Sequence, residues 1–340
     1  MSFANANSNN SKVALDLRGT RLSLEREALM ELPESVLLCL FPNGVVLSPQ
    51  RVPRNDGVEA EDEDDEDVYY VDFDAQCLEF VLEFFASAKD AFYGPPDGSG
   101  PRRDLSLTSP IAQSNMQNPL FLKQAIIVLR EELEYFAIPP TSSSSATTPT
   151  SPPRAVGGDK DANVPGTDEH GKPNEALLRL KVDCGRALLE RKSIFTALQR
   201  NVNRENNVAE QHLIDMLCMS GFERDDVWGY RSVEPNRCCI ASIALVLLKT
   251  GIVHPPLSPS STTTTTGALD EYAGGDGGEA DVQVNAQQLA TAQKLLLFWR
   301  KPARKCWWDA TDLTINAGTE RERDVKVWAR RVWTLELSLI

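Results

Sequence analysis

Few residues in this 340-residue chain are of the types that do covalent or metal chemistry, and their spacing argues against it. Of the three histidines, His170 lies in a Ser/Thr/Pro-rich stretch, His254 abuts Pro255-Pro256, and His212 falls in a helical run. A nucleophile with an aligned base and orienting acid is not visible around any of them. His212 and Cys218 are separated by six residues, which suits neither one helical face nor a zinc spacing. Cys238 and Cys239, adjacent on a helix, would point apart. The run 59–67 holds eight carboxylates but lacks the turn glycine and alternating ligands of an EF-hand loop, so a solvated, self-repelling loop is expected. Val71-Asp72-Phe73-Asp74 carries the paired aspartates of phosphotransferases without the following Thr- or Val-rich strand or a catalytic lysine, and Asp74 is better used as a helix cap. The sequence predicts no enzyme, no cofactor and no metal site.

Recognition chemistry is better represented. Five of the six tryptophans, Trp299, Trp307, Trp308, Trp328 and Trp333, fall near the C-terminal end, interleaved with Arg300, Lys301, Arg304, Lys305, Arg330 and Arg331. Three readings compete. The rings can fill a core, with long basic stems covering them and charged heads reaching water. They can form a protein-docking face, since Trp and Arg are enriched at interface hot spots. They can also stack single-stranded bases, although no nucleic-acid-binding motif accompanies them. On the docking reading the candidates are Arg300, Lys301, Arg304, Lys305, Trp307, Trp308, Trp328 and Arg330.

The elements that must position these residues follow from period. From Val325 the chain alternates, with Val325, Val327, Ala329, Arg331, Trp333, Leu335, Leu337 and Leu339 on one face, which predicts a long half-buried strand. Residues 307–315 are its expected antiparallel partner, joined through a turn at Gly318. Upstream, helices are predicted over 176–199, with Ser193 a candidate restart, over 207–221 behind an Asn207/Glu210 capping box, and from Asn285 to Pro302. Residues 236–249, apolar on every side, read as a buried central helix closed by Gly251.

The first half opens with a hairpin: Val13, Leu15 and Leu17 alternate, Arg18-Gly19-Thr20-Arg21 turns, and Leu22 and Leu24 alternate again. Helical spacing follows at Ala28, Leu29 and Leu32, then beyond Pro33 at Val36, Leu37, Leu40 and Phe41. Residues 68–73 suit a strand, and Asp74 caps a helix carrying Cys77, Leu78, Val81, Leu82 and Phe85. A longer helix is predicted from Pro119 through Leu122, Ile126, Leu129, Leu133 and Phe136 to Pro139-Pro140.

Composition divides the chain. Residues 1–10 are expected to be disordered, 11–140 to form one domain with inserted loops at 49–67 and 94–117, 141–174 to be a disordered linker, and 175–340 to form a second domain with a low-complexity insertion at 255–284. The formal charge is −14, and the acidic run leaves only about −6 for everything else, so bulk charge favours no nucleic-acid partner. Seven scattered cysteines read as reduced thiols, there is no secretory signal, and the longest apolar stretch is far short of the roughly 20 residues that cross a bilayer. A cytoplasmic protein without a transmembrane segment is expected. Ser-Pro and Thr-Pro pairs at Ser48, Ser109, Thr148, Ser151 and Ser258 fall in expected loops, where a phosphate could switch docking by charge.

The order of pieces carries a resemblance. Leu17-Arg18-Gly19-Thr20-Arg21-Leu22, then Leu32-Pro33-Glu34-Ser35-Val36-Leu37, then Val71-Asp72-Phe73-Asp74 leading into the helix from Cys77 to Phe85, resembles the BTB/POZ fold in the branch of the potassium-channel tetramerisation domains. The strings from Trp299 to Asp309 and from Val325 to Leu337, with Glu210-Gln211-His212-Leu213-Ile214-Asp215-Met216-Leu217 and Ser220-Gly221-Phe222, are similar to the fungal whiskey-type growth regulators. The resemblance implies an α+β chain, an N-terminal BTB/POZ fold followed by a mostly helical domain ending in a Trp-rich antiparallel β-hairpin. It implies a non-catalytic activator of a plasma-membrane-associated haloacid-dehalogenase-type phosphatase, acting in general stress response and nutrient-dependent growth control, and placed by that partner at the inner face of the plasma membrane. Self-association through the BTB part is compatible with it. The alternative is a BTB substrate adaptor of a cullin ubiquitin ligase.

Overall fold

The computed structural model describes residues 12–41, 68–97, 100, 103, 118–138, 174–205, 207–254 and 282–340. The N-terminal stretch, the acidic run, most of both inserted loops, residues 141–173 with His170, residues 255–281 and all five Ser/Thr-Pro pairs lie outside them.

The hairpin forms as its alternation predicts. β1 (Lys12–Leu17) and β2 (Thr20–Glu25) are antiparallel, with Arg18 and Gly19 both at positive φ in the two-residue turn. β3 (Val68–Val71) joins β1 in parallel, giving the order β2-β1-β3. α1 (Arg26–Met30), α2 (Glu34–Leu40) and α3 (Ala75–Tyr93) accompany this sheet, and Asp74 caps α3 by accepting from the Cys77 amide at 3.1 Å.

A second sheet has five strands in the order β5-β6-β4-β10-β9, every neighbouring pair antiparallel. Its members are β4 (Ala125–Ile138), β5 (Tyr230–Val233), β6 (Cys239–Leu247), β9 (Ala303–Ile315) and β10 (Arg323–Leu339). β7 (Ile252–Val253) and β8 (Gln283–Val284) form a separate small ladder. Two helices expected from periodicity are strands here. The segment from Pro119 makes one 3-10 turn, capped by Asn118, and then runs extended as β4. Ala125 through Leu129 are all buried, because both faces of the sheet are covered at that level, and burial on both sides erases the period of two. The same cause explains β6, where Ile240 and Ala244 face one layer and Ile243 and Leu245 the other. Asn236, at φ 62, turns the chain between β5 and β6.

The front of the sheet carries α4 (Glu175–Leu189), α5 (Thr196–Glu205), α6 (Val208–Ser220) and α7 (Ala286–Trp299). Asn174, Asn207 and Asn285 cap α4, α6 and α7. The helix expected over 176–199 is two helices, interrupted where Ser193 bridges Val227. Glu210 does not reach back as a capping box would. Its buried carboxylate instead accepts from Lys305 Nζ at 3.2 Å.

The β1–β3 layer with α2 and α3 covers only part of the back of the sheet. Val13, Leu15, Val36, Leu78 and Val81 share one core with Ile126, Val128, Ile243, Leu245 and Ile340. The junction is also polar: Tyr230 Oη donates to Asp74 at 2.7 Å, Arg18 reaches Asp72 and Glu234, and Glu336 accepts from the Glu34 and Ser35 amides at 2.8 Å each. β4 precedes the stretch 141–174 and pairs with strands that follow it, so both halves of the chain build this sheet.

Candidate protein-docking face

Alternation along β9 and β10 sorts the tryptophans by face. Trp333 is buried on the front, with ring centroids 6.0 Å from Trp228, 5.3 Å from Trp307 and 6.5 Å from Phe195. Trp299, from α7, is buried in the same cluster. Trp307 is half-buried there, with Lys305 Nζ 5.7 Å from its ring. The core reading therefore holds for Trp299, Trp307 and Trp333.

Trp308 and Trp328 point the other way, onto the part of the back face that the N-terminal layer leaves bare. They are 58% and 44% exposed, and Phe136 on β4 is 51% exposed beside them. Register places Trp328 between Ala310 and Phe136, and Arg330 between Trp308 and Glu134. The Phe136 and Trp308 rings stack with centroids 6.0 Å apart and planes 29° from parallel. Arg330 Nη1 donates to Glu134 at 3.2 Å, and contacts with Cys306 and with Glu134 raise its guanidinium above the usual arginine range.

Of the eight candidate residues, Trp308, Trp328, Arg330 and Arg304 share this back face, Arg304 lying further along β9 opposite Thr334. Lys305 and Trp307 belong to the front. Arg300 and Lys301 are exposed between α7 and β9, away from the aromatic trio in register. Phe136 is not among the eight because its segment reads as a helix in the sequence; as a strand, Glu132, Glu134 and Phe136 form one outward row.

Past the end of β6, β4 runs on with β10 as its neighbour, and a groove of about 640 Å³ opens there, lined by Glu134, Phe136, Ala137, Leu177, Lys181 and Arg237. An open strand edge beside exposed rings suits an extended polypeptide, through backbone hydrogen bonds and apolar contact. A cluster of large apolar side chains on a surface marks an interaction site far more often than scattered single residues do.

The described residues gather no cluster of three or more His, Cys, Asp or Glu that could hold a metal ion, and no helix among them is long and apolar enough to cross a membrane. His212 lies within α6 and His254 stands edge-on to Phe92 at 5.1 Å.

No protein-family model matches the chain. A WHI2-like protein of Schizosaccharomyces pombe is 32% identical over 329 residues, spanning 95% of this chain and 86% of its own length. The growth regulation protein of Saccharomyces cerevisiae is 27% identical over 470 aligned positions, spanning 97% of this chain and 91% of its own length. Identity at that level along nearly the whole sequence means that the chain belongs to the family of WHI2-like fungal growth regulation proteins.

Proposed function

We propose that the chain is a non-catalytic adaptor of growth control that docks a haloacid-dehalogenase-type phosphatase through the bare part of its sheet and raises that enzyme's activity. The phosphatase, and the setting of stress response at the plasma membrane, come from the resemblance in the strings around Trp299 to Asp309 and Val325 to Leu337. The observation that carries docking is the trio Phe136, Trp308 and Trp328, brought together across three strands with Arg330 among them. In the same proposal the β1–β3 layer with α1 to α3 is the BTB/POZ-like part, and it leaves the aromatic end of the sheet uncovered.

The test titrates the full chain against a purified phosphatase of that class, reading affinity and turnover together. Saturable binding with a rise in turnover is expected. Trp308→Ala with Trp328→Ala should weaken binding at least about thirtyfold, since a hot-spot ring contributes about 2 kcal/mol or more, while thermal stability stays near wild type. Unchanged affinity in the double variant removes the docking face. Absence of phosphatase binding, with tight binding of a cullin, replaces the proposal by the ubiquitin-ligase reading.

A further inference from the structure

On the opposite side of the sheet a cavity of about 360 Å³ opens between β9, β10 and the segment joining α4 to α5. Four arginines line it, from four separate parts of the chain: Arg191, Arg200, Arg231 and Arg331. Two buried carboxylates answer them. Glu131, 1% exposed on β4, accepts from Arg331 Nη1 at 2.6 Å, Arg231 Nη2 at 3.3 Å and Trp333 Nε1 at 3.1 Å. Asp309, 7% exposed, accepts from Arg200. Lys192 and Glu190 also line the cavity and offset one another, so the four guanidiniums against the two buried carboxylates leave an excess of two positive charges among these groups.

Arg191 and Arg231 also make neutral contacts. Arg191 donates to Thr311 Oγ1 at 2.9 Å and to the Asp312 carbonyl at 3.1 Å, and Arg231 donates to Ser242 Oγ at 2.9 Å and to the carbonyls of Leu188 and Arg191. Arg331 Nε is buried with no acceptor among the described residues. Burial, with Arg331 nearby, pulls Arg191 below the usual arginine range, and burial also lowers Arg231. Arginine does not escape such crowding by giving up its proton, so the uncompensated charge favours an external anion.

We infer that this cavity is an anion-binding site for a phosphate group, free or on a monoester. Planar guanidiniums converging from several directions match the spread oxygens of a tetrahedral dianion, and paired N–H donors give bidentate contacts. Two negative charges balance the excess. The volume falls within the range of small-ligand pockets, so a phosphorylated side chain or a small phosphorylated molecule fits as well as inorganic phosphate. Because the site lies on the front face, its occupancy is separable from docking at Trp308 and Trp328.

The test uses the full chain at constant ionic strength, titrated with inorganic phosphate, with sodium chloride as the ionic control and with a short phosphothreonine peptide beside its unphosphorylated form. Saturable calorimetric binding of phosphate, with thermal stabilisation beyond the chloride control, is expected. Arg191→Gln should weaken it at least tenfold while unliganded stability stays close to wild type, because Arg191 is the arginine with its surface still exposed. If Arg191→Gln fails to fold, phosphorus NMR line broadening of phosphate by the wild-type chain supplies the decision. A phosphopeptide that binds more tightly than phosphate identifies a modified side chain as the source; equal or weaker binding identifies a small molecule. Stabilisation no greater than with chloride, no line broadening, or full affinity in Arg191→Gln overturns the inference.

Discussion

Replacing Glu336 by Ala removes one of the carboxylates that join the two layers. α2 begins after Pro33, which offers no side-chain cap, and its first amides point at a carboxylate from β10 instead. Glu336 is 4% exposed, so water does not readily substitute for it. Each backbone donor left unmatched in a buried setting costs about 1–3 kcal/mol, and loss of the negative charge at a helix N-terminus adds about 0.3–1 kcal/mol. Relief of the buried carboxylate's own desolvation offsets part of this, leaving a net loss of about 3 kcal/mol for Glu336→Ala. Glu336→Gln keeps one acceptor oxygen and should lose about 1–2 kcal/mol. With a urea dependence of about 3 kcal/mol per molar, the Ala variant's unfolding midpoint falls by about 1 M. Tryptophan fluorescence follows the transition, and hydrogen exchange of the α2 amides localises it. A midpoint within about 0.3 M of wild type, with α2 amides as protected as before, refutes the idea that this contact anchors α2.

Trp333→Ala should cost about 3–5 kcal/mol in urea unfolding by opening a cavity and depriving Glu131 of a donor, whereas Trp308→Ala should change stability by less than about 0.5 kcal/mol; equal losses would contradict the assignment of the two rings to opposite faces. Cys306 is exposed and should react first with a thiol reagent in the native state. Burial pushes Cys77 and Cys239 up to about 12 and Cys184 to about 11, so those three should react only on unfolding; rapid native labelling of any of them by mass spectrometry would contradict their burial. Burial, aided by Arg103, lowers His254 to about 4, and NMR should show its ring titrating near there rather than at 6 or above. Since its folded value lies below the unfolded one, the unfolded chain takes up the proton first as pH falls. Stability should decline between about pH 6.5 and 4, and His254→Phe should flatten that decline.

Local grammar was the legible part of the fold. The turn at Arg18-Gly19, the Asp74 and Asn207 caps and the alternation from Val325 each depend on neighbours in sequence, and each is present. β4 and β6 read as helices in the sequence because layers above and below bury both of their faces, and that depends on distant segments. The docking candidates divide between the two faces of the sheet, since adjacent residues such as Trp307 and Trp308 must diverge on a strand. The arginine cavity had no sequence signature: Arg231 and Arg331 stand a hundred residues apart and meet only over Glu131. The one available hint was Glu131 itself, an acid in the same alternating row as Leu129 and Leu133.

The place of β4 bears on how this chain is made. During synthesis it leaves the ribosome long before β6 and β10, the two strands that flank it. Until both emerge, fourteen residues rich in Ile, Val and Leu present two bare hydrogen-bonding edges, the condition that invites intermolecular pairing. A premature stop that deleted β10 would trim more than the tail, because β4 would lose a flanking strand and β9 the one sheet neighbour it has among the described residues. Clinging of nascent chains to chaperones, and clumping of truncated products, should therefore track the 125–138 segment more closely than any other.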